Sequence, residues 1–239
     1  MGEQPALLAP RRPPELDRLG VEIVLGDCRS PEWLARAEGA DLAIVDPPWT
    51  YARTEPATMP DDHYACLPTD EIAEVVARLA LGVRVVVVWC TWPLLEEWIL
   101  AFRSASTVEY RSGGAWSKTD GRGGHYGPGY WWAGCSEPVL VYAQPGGHVD
   151  RSVTLRNAWE EPPWAHSRKP VEWQAAMVAR WCPRGGRVVD PFCGLGSVPE
   201  AVLLAGDRTY LGCEVDPARR DGALARLARW DRLQGGPRE

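Results

Sequence analysis

The tetrapeptide Asp46-Pro47-Pro48-Trp49 carries the sharpest chemistry in the chain. It follows an apolar run, Leu42 to Val45, that reads as a short buried strand. The carboxyl end of such a strand is where open α/β sheets bind their ligands. Each proline fixes φ and removes an N–H donor, which leaves carbonyl acceptors facing outward. A planar amine fits such a turn: Asp46 and the Pro47 carbonyl accept its two hydrogens while Trp49 stacks on the attached ring. A nitrogen held by both hydrogens loses conjugation with its ring and gains a usable lone pair. Without that chemistry, the same four residues are a proline-rich strand end and a core tryptophan.

A second stretch makes sense beside the first. Asp190-Pro191-Phe192-Cys193-Gly194-Leu195-Gly196 joins a strand, Arg187 to Val189, to a helix ending near Ala205. Its glycines let the backbone approach a ligand closely. Glu214, about 20 residues on, ends the next strand, where an acidic side chain can accept both hydroxyls of a ribose. The full G-x-G-x-x-G that seats a pyrophosphate is missing, so the expected ligand is a nucleoside rather than a dinucleotide.

The elements that must position these residues alternate between strand and helix, which argues a doubly wound α/β sheet. Strands are expected at Val21 to Leu25, Leu42 to Val45, Val83 to Trp89, Val139 to Ala143, Arg187 to Val189 and Tyr210 to Cys213. Thr107 to Tyr110 and Ala115-Trp116 read as a further strand pair. Helices are expected at Pro31 to Glu38, from Thr69 to Gly82, at Pro93 to Arg103, to about Trp181 with Pro170 in its first turn, and at Pro217 to Leu233 behind Asp216 as N-cap. The strands before Asp46 and Asp190 are expected to be neighbours at the switch point, so that both turns open on one edge. A single domain is expected over 21–233, between flexible tails at 1–20 and 234–239. Three stretches, about 50–68, 111–135 and 145–165, read as substrate loops. The middle one is glycine-rich and dense in rings and cations, including Lys118, Arg122, Tyr130 and Trp131.

Composition narrows the class. The 239 residues carry a net charge of −6, so no basic surface announces nucleic acid. Of 26 basic residues only Lys118 and Lys169 are lysines, and both fall in stretches already singled out. Seven widely spaced cysteines without a C-x-x-C pair suit neither a disulfide framework nor a zinc site, and no metal is expected. No apolar run approaches the ~20 residues of a membrane span, and the expected location is the cytoplasm.

Taken together, the two motifs resemble those of amino-methyltransferases. Asp190 to Gly196 with Glu214 is similar to their S-adenosylmethionine site, and Asp46 to Trp49 to their D-P-P-[YFW] catalytic motif. Catalytic motif first and cofactor motif second is the permuted order of the β group of DNA amino-methyltransferases. The tryptophan is the form typical of the mRNA adenosine N6-methyltransferase catalytic-subunit family and its phage and bacterial relatives. His63-Tyr64, Trp116-x-Lys118, Gly127-Pro128-Gly129-Tyr130-Trp131 and His166-Ser167-Arg168-Lys169-Pro170 extend the resemblance over roughly residues 21 to 220. One departure is that the mRNA enzymes replace D-P-F-x-G-x-G with a different sequence, which sets this chain between them and the DNA enzymes.

The resemblance implies a class I S-adenosylmethionine-dependent methyltransferase fold, with a mostly parallel, seven-stranded, Rossmann-like sheet. It implies S-adenosylmethionine as cofactor and methyl transfer to the N6 amine of adenine in DNA, with Asp46, Pro47, Pro48 and Trp49 catalytic. Asp27 and Cys28 would hold the cofactor's adenine, Lys169 its methionine carboxylate and Glu214 its ribose, with Asp46, Asp190, Phe192, Gly194 and Gly196 completing that site. His63, Tyr64, Lys118, Arg122, Tyr130 and His166 would face the substrate. RNA, a small molecule or a protein amide are the alternative acceptors, and a non-catalytic binding subunit is a further alternative. Monomer and homodimer are both open.

Overall fold

The computed structural model describes residues 18–51, 66–118, 132, 134–162 and 168–233. Among these, eight strands form one sheet: β1 Val21–Leu25, β2 Leu42–Val45, β3 Val85–Trp89, β4 Glu109–Ser117, β5 Ser136–Ala143, β6 Ala158–Glu160, β7 Arg187–Asp190 and β8 Thr209–Glu214. Six helices join them: α1 Pro31–Ala37, α2 Thr69–Gly82, α3 Leu95–Ala105, α4 Val171–Trp181, α5 Ser197–Ala205 and α6 Pro217–Leu233. The sheet order is β1-β8-β7-β2-β3-β5-β4-β6. Strand β5 runs antiparallel to both β3 and β4, and the other pairings are parallel. No helix among the described residues is long and apolar enough to cross a membrane.

The side chains dictate a sheet covered on both faces. Every residue of β2 and β3 is buried, as continuous apolar, β-branched strands require. Alternate residues serve opposite layers. Ala43, Val45, Val86 and Val88 pack with Trp33 of α1, Ile72 and Val76 of α2, and Trp98 and Phe102 of α3. Leu42, Ile44, Val85 and Val87 pack with Trp173 and Met177 of α4, Val198 and Val202 of α5, and Ala223 and Leu227 of α6. Helix α6 begins where expected: the Asp216 carboxylate accepts the Ala218 N–H at 2.8 Å and the Arg219 N–H at 3.3 Å, satisfying donors that a helix start leaves open.

Three expectations need correction. The sheet has eight strands rather than seven, because Ala158–Glu160 lies parallel to β4 inside the stretch read as a loop. Residues 107–117 do not form a strand pair. Glu109–Ser117 is a single strand along β5, with an irregularity between Tyr110 and Ser112. Seven residues of the predicted 111–135 loop are therefore strand. Gly113 and Gly114 argued for a loop, but glycine in a strand also marks close backbone approach. A Cβ on Gly114 would stand 2.8 Å from the Asn157 carbonyl oxygen beside β6. Pro170 precedes α4 in an extended conformation rather than lying in its first turn.

Candidate active site

The two turns meet because their strands pair. Strands β7 and β2 are parallel neighbours. From β7 the chain goes on through α5 to β8 on one side, and from β2 through α2 to β3 on the other. Their carboxyl ends flank the crevice where such sheets bind ligands. The adjacent ends of β1 and β8 bring Asp27, Cys28 and Glu214 to the same edge, with the Gly26 N–H bonded to the Glu214 carbonyl at 2.9 Å. Because β5 is antiparallel to β3, its first residues, Ser136 and Glu137, stand on this edge too.

The glycine turn is built by its carboxylates. Asp190 is 1% exposed and accepts the Phe192 N–H at 2.9 Å and the Tyr210 hydroxyl at 3.0 Å. Burial pushes its pKa up to about 8, against both hydrogen bonds. Its side chain thus holds the turn from inside. Gly194 and Gly196 have φ of +54° and +82°, the left-handed region open to glycine. A Cβ on Gly196 would also come within 2.9 Å of the Ala223 Cβ. Glu214, 8% exposed, accepts the Gly194 N–H at 2.7 Å and the Asp216 N–H at 2.9 Å. Each of its oxygens keeps a further lone pair.

Asp27 and Cys28 differ sharply. The Asp27 carboxylate is half-exposed and grips Arg29, whose Nη2 is 2.7 Å away and holds its pKa down. Cys28 is buried, and burial pushes its thiol up to about 12. Leu25, Leu195 and Val215, exposed by 42%, 51% and 66%, add apolar surface at the ends of β1, β7 and β8.

At the D-P-P-W turn, the Pro47 carbonyl accepts the Trp49 N–H at 3.0 Å and the Pro48 carbonyl the Leu67 N–H at 2.8 Å. The carbonyls expected to face outward are thus partly used internally, and Pro47 retains one lone pair for another donor. Trp49 is 5% exposed and meets Trp98 edge-on at 5.7 Å, so its indole belongs to the core.

The polar centre is a chain of four charges. Lys169, 8% exposed, stands 2.8 Å from both Asp46 oxygens and 3.3 Å from Glu137 Oε2. Glu137 also pairs with Lys118. The Lys169 ammonium lies over the Trp89 ring at 5.4 Å and that of Lys118 over Trp116 at 5.2 Å. Trp89 meets Trp116 and Trp173 edge-on, at 6.1 and 5.6 Å. Next to Lys169, Arg168 fastens the segment to Glu200 of α5 at 3.0 Å. Burial raises the pKa of Asp46; Lys169 opposes that and the Glu137 charge adds to it. Glu137 is held below the usual range because its two lysines outweigh its burial. The facing carboxylates hold Lys169 protonated despite its burial.

Every described member of the expected site thus lies on one edge. His63, Tyr64, Arg122, Tyr130 and His166 lie outside the described residues. Glu137 was not foreseen as part of the site: in the sequence it is merely the residue before an apolar strand. The one signal pointing to it was that the chain's two lysines, which flank it in space, stood in both marked stretches. An open groove lined by Glu22, Arg36, Glu38 and Arg187 lies at the opposite ends of the strands. Arg36 is paired with Glu22 at 2.7 Å there, and Arg187 donates to the Glu38 carbonyl.

No protein-family model matches the sequence, and no characterised protein matches it either. Solved structures do share its fold. The M1.HpyAVI–SAM complex superposes with a TM-score of 0.64 at 15% identity, covering 87% of this chain and 99% of that one. TTHA0409 from Thermus thermophilus, described as a DNA modification methylase and solved with S-adenosyl-L-methionine, gives 0.60 at 22% identity, covering 87% and 93%. The cytosine-N4-specific PvuII DNA methyltransferase gives 0.60 at 12% identity, covering 91% and 93%. At these identities the likeness concerns the backbone, and the chain has the α/β fold of the class I methyltransferases, widened by one edge strand.

Proposed function

We propose that the protein transfers a methyl group from S-adenosylmethionine to the N6 amine of adenine in DNA. One observation carries this reading: the parallel pairing of β2 with β7 sets the Asp46 turn beside the glycine turn. The residues present suit the cofactor. Glu214 has lone pairs to spare for ribose hydroxyls, the left-handed glycines leave the backbone bare, and Leu25, Leu195 and Val215 offer apolar surface for a base. Lys169 would meet the methionine carboxylate. Neighbours of the same fold include one solved with S-adenosyl-L-methionine and one named as a DNA methyltransferase.

When bound, S-adenosylmethionine supplies an electrophilic methyl group. The protein's part is placement and charge. Asp46 and the remaining lone pair of the Pro47 carbonyl accept the two hydrogens of the target amine, and Asp46 stabilises the positive charge developing on nitrogen. The target base leaves the duplex stack to reach them, with Trp49 forming the wall it lies against. Lys118 reaches toward the substrate from the end of β4. A cytosine-N4 enzyme of this group usually carries Ser in place of Asp46, which favours adenine here.

The test is to offer labelled S-adenosylmethionine with DNA, RNA and nucleosides, then digest and identify the methylated base. N6-methyladenine from DNA is expected. Asp46→Ala should lower the single-turnover rate by about 10²-fold with both ligands saturating. N4-methylcytosine, transfer to RNA alone, or a mutant at the native rate would each overturn the assignment.

A further inference from the structure

We propose that Glu137 is a positioning residue for the reaction: it shares the Lys169 ammonium with Asp46, so that Asp46 is left able to hold the target amine. The inference rests on the methyltransferase reading for its purpose, while its geometry stands independently.

Glu137 reaches the edge through topology. Its strand, β5, starts where β3 ends, with the Cys90 N–H on the Pro138 carbonyl at 2.9 Å. Its side chain is 16% exposed and its two oxygens face different lysines, Lys118 on Oε1 and Lys169 on Oε2 at 3.3 Å. Those are the only lysines among 26 basic residues. The chain Asp46–Lys169–Glu137–Lys118 therefore alternates in sign and sums to zero.

Stability alone explains such a chain poorly. Taking four charges out of water costs as much as their attraction returns, and apolar residues would serve a core as well. Its position answers better. One ammonium close to both oxygens of Asp46 competes directly with an amine for the same lone pairs. A second carboxylate on that ammonium draws part of its field away, and the face of Trp89 takes a further share. Without the Glu137 charge, Asp46 is the sole carboxylate on Lys169. Asp46 is then ionised more readily but accepts from a substrate more weakly. Lys118 acts in the opposite sense, since its charge holds Glu137 and reaches Asp46 as well.

The experiment follows Asp46 itself. The carboxyl ¹³C resonance of Asp46 is titrated in the full-length native protein, Glu137→Gln and Lys118→Met, alongside the pH dependence of single-turnover methylation. Glu137→Gln should move the Asp46 titration and the acid limb of the rate to lower pH. It should also slow the pH-plateau rate about tenfold, with cofactor affinity nearly unchanged. Lys118→Met should move the titration the other way. Opposite shifts are expected from a charge chain and not from a merely structural role. Shifts of the same sign, or an unmoved titration in both variants, would overturn the proposal. If one variant fails to fold, the sign of the other decides. If the native protein transfers no methyl group, the proposed function falls, and the carboxyl titrations still decide what Glu137 does to Asp46.

Discussion

Replacing Lys169 with Met keeps the reach of the side chain and deletes its charge. Glu137 would still have Lys118, so the group left stranded is Asp46, whose side chain is 28% exposed and whose two oxygens both lie 2.8 Å from the lost ammonium. Removing one partner of a buried pair costs about 3–5 kcal/mol. Asp46 has an escape, because it can take up a proton. That costs about 1.4 kcal/mol for each pH unit above an ordinary carboxylate pKa of about 3.9. The loss is therefore capped near 4 kcal/mol at pH 7 and about 1.5 kcal/mol at pH 5. The sign follows from proton counts. The folded mutant keeps a proton that its unfolded chain has lost, so its deficit relative to the native protein grows as pH rises from 5 to 7. Urea unfolding of both proteins at pH 5, 6 and 7, without cofactor, measures this directly. A deficit that is the same at each pH, or below about 1 kcal/mol at pH 7 as for exposed pairs, would show that water rather than Lys169 solvates Asp46.

Glu214→Ala removes two charge-assisted bonds from the glycine turn and should weaken S-adenosylmethionine binding by about 1–3 kcal/mol; unchanged affinity by calorimetry would take Glu214 out of the nucleoside site. Asp190, with its pKa raised to about 8 by burial, keeps its proton when folded and loses it when unfolded. Its contribution to stability therefore declines from about pH 4 to pH 8. Asp190→Asn should gain in melting temperature on the native protein as pH rises through that window, and a constant difference would contradict the buried-proton account. Gln174 is fully buried on α4, and neither its amide nitrogen nor its amide oxygen has a hydrogen-bond partner in the structure. Gln174→Met should therefore raise stability by about 1 kcal/mol, read as a higher urea midpoint; a lower midpoint would reveal a bound water or an unseen partner.

Much of the site was legible because its chemistry is compact in sequence. Asp46 to Trp49 and Asp190 to Gly196 are each continuous, and a carboxylate at a strand end or a glycine pair entering a helix has a local meaning. Glu137 has none. Between Ser136 and Pro138 it looks like a solvated residue at a strand start, and its two partners lie 19 and 32 residues away in the chain. Trp49 shows the reverse error of scale. Its place after two prolines points to a substrate wall, while the described structure packs it against Trp98, a contact no local pattern announces.

The sequence by itself determined the alternation of strands and helices, the buried β2 and β3, the cap at Asp216 and the two turns, because period, apolar runs and turn residues act over a few neighbours. It also carried the adjacency of β2 and β7, through the order of its motifs. Only the tertiary structure decided that β4 is a single strand and that β6 pairs with it. Gly113 and Gly114 lack strand propensity, and their pairing depends on β5 and on the backbone near Asn157. It alone decided the charge chain, since Coulomb attraction depends on distance in space. Residues at positions 46, 118, 137 and 169 become one group only when β2, β4, β5 and the start of α4 converge on one edge.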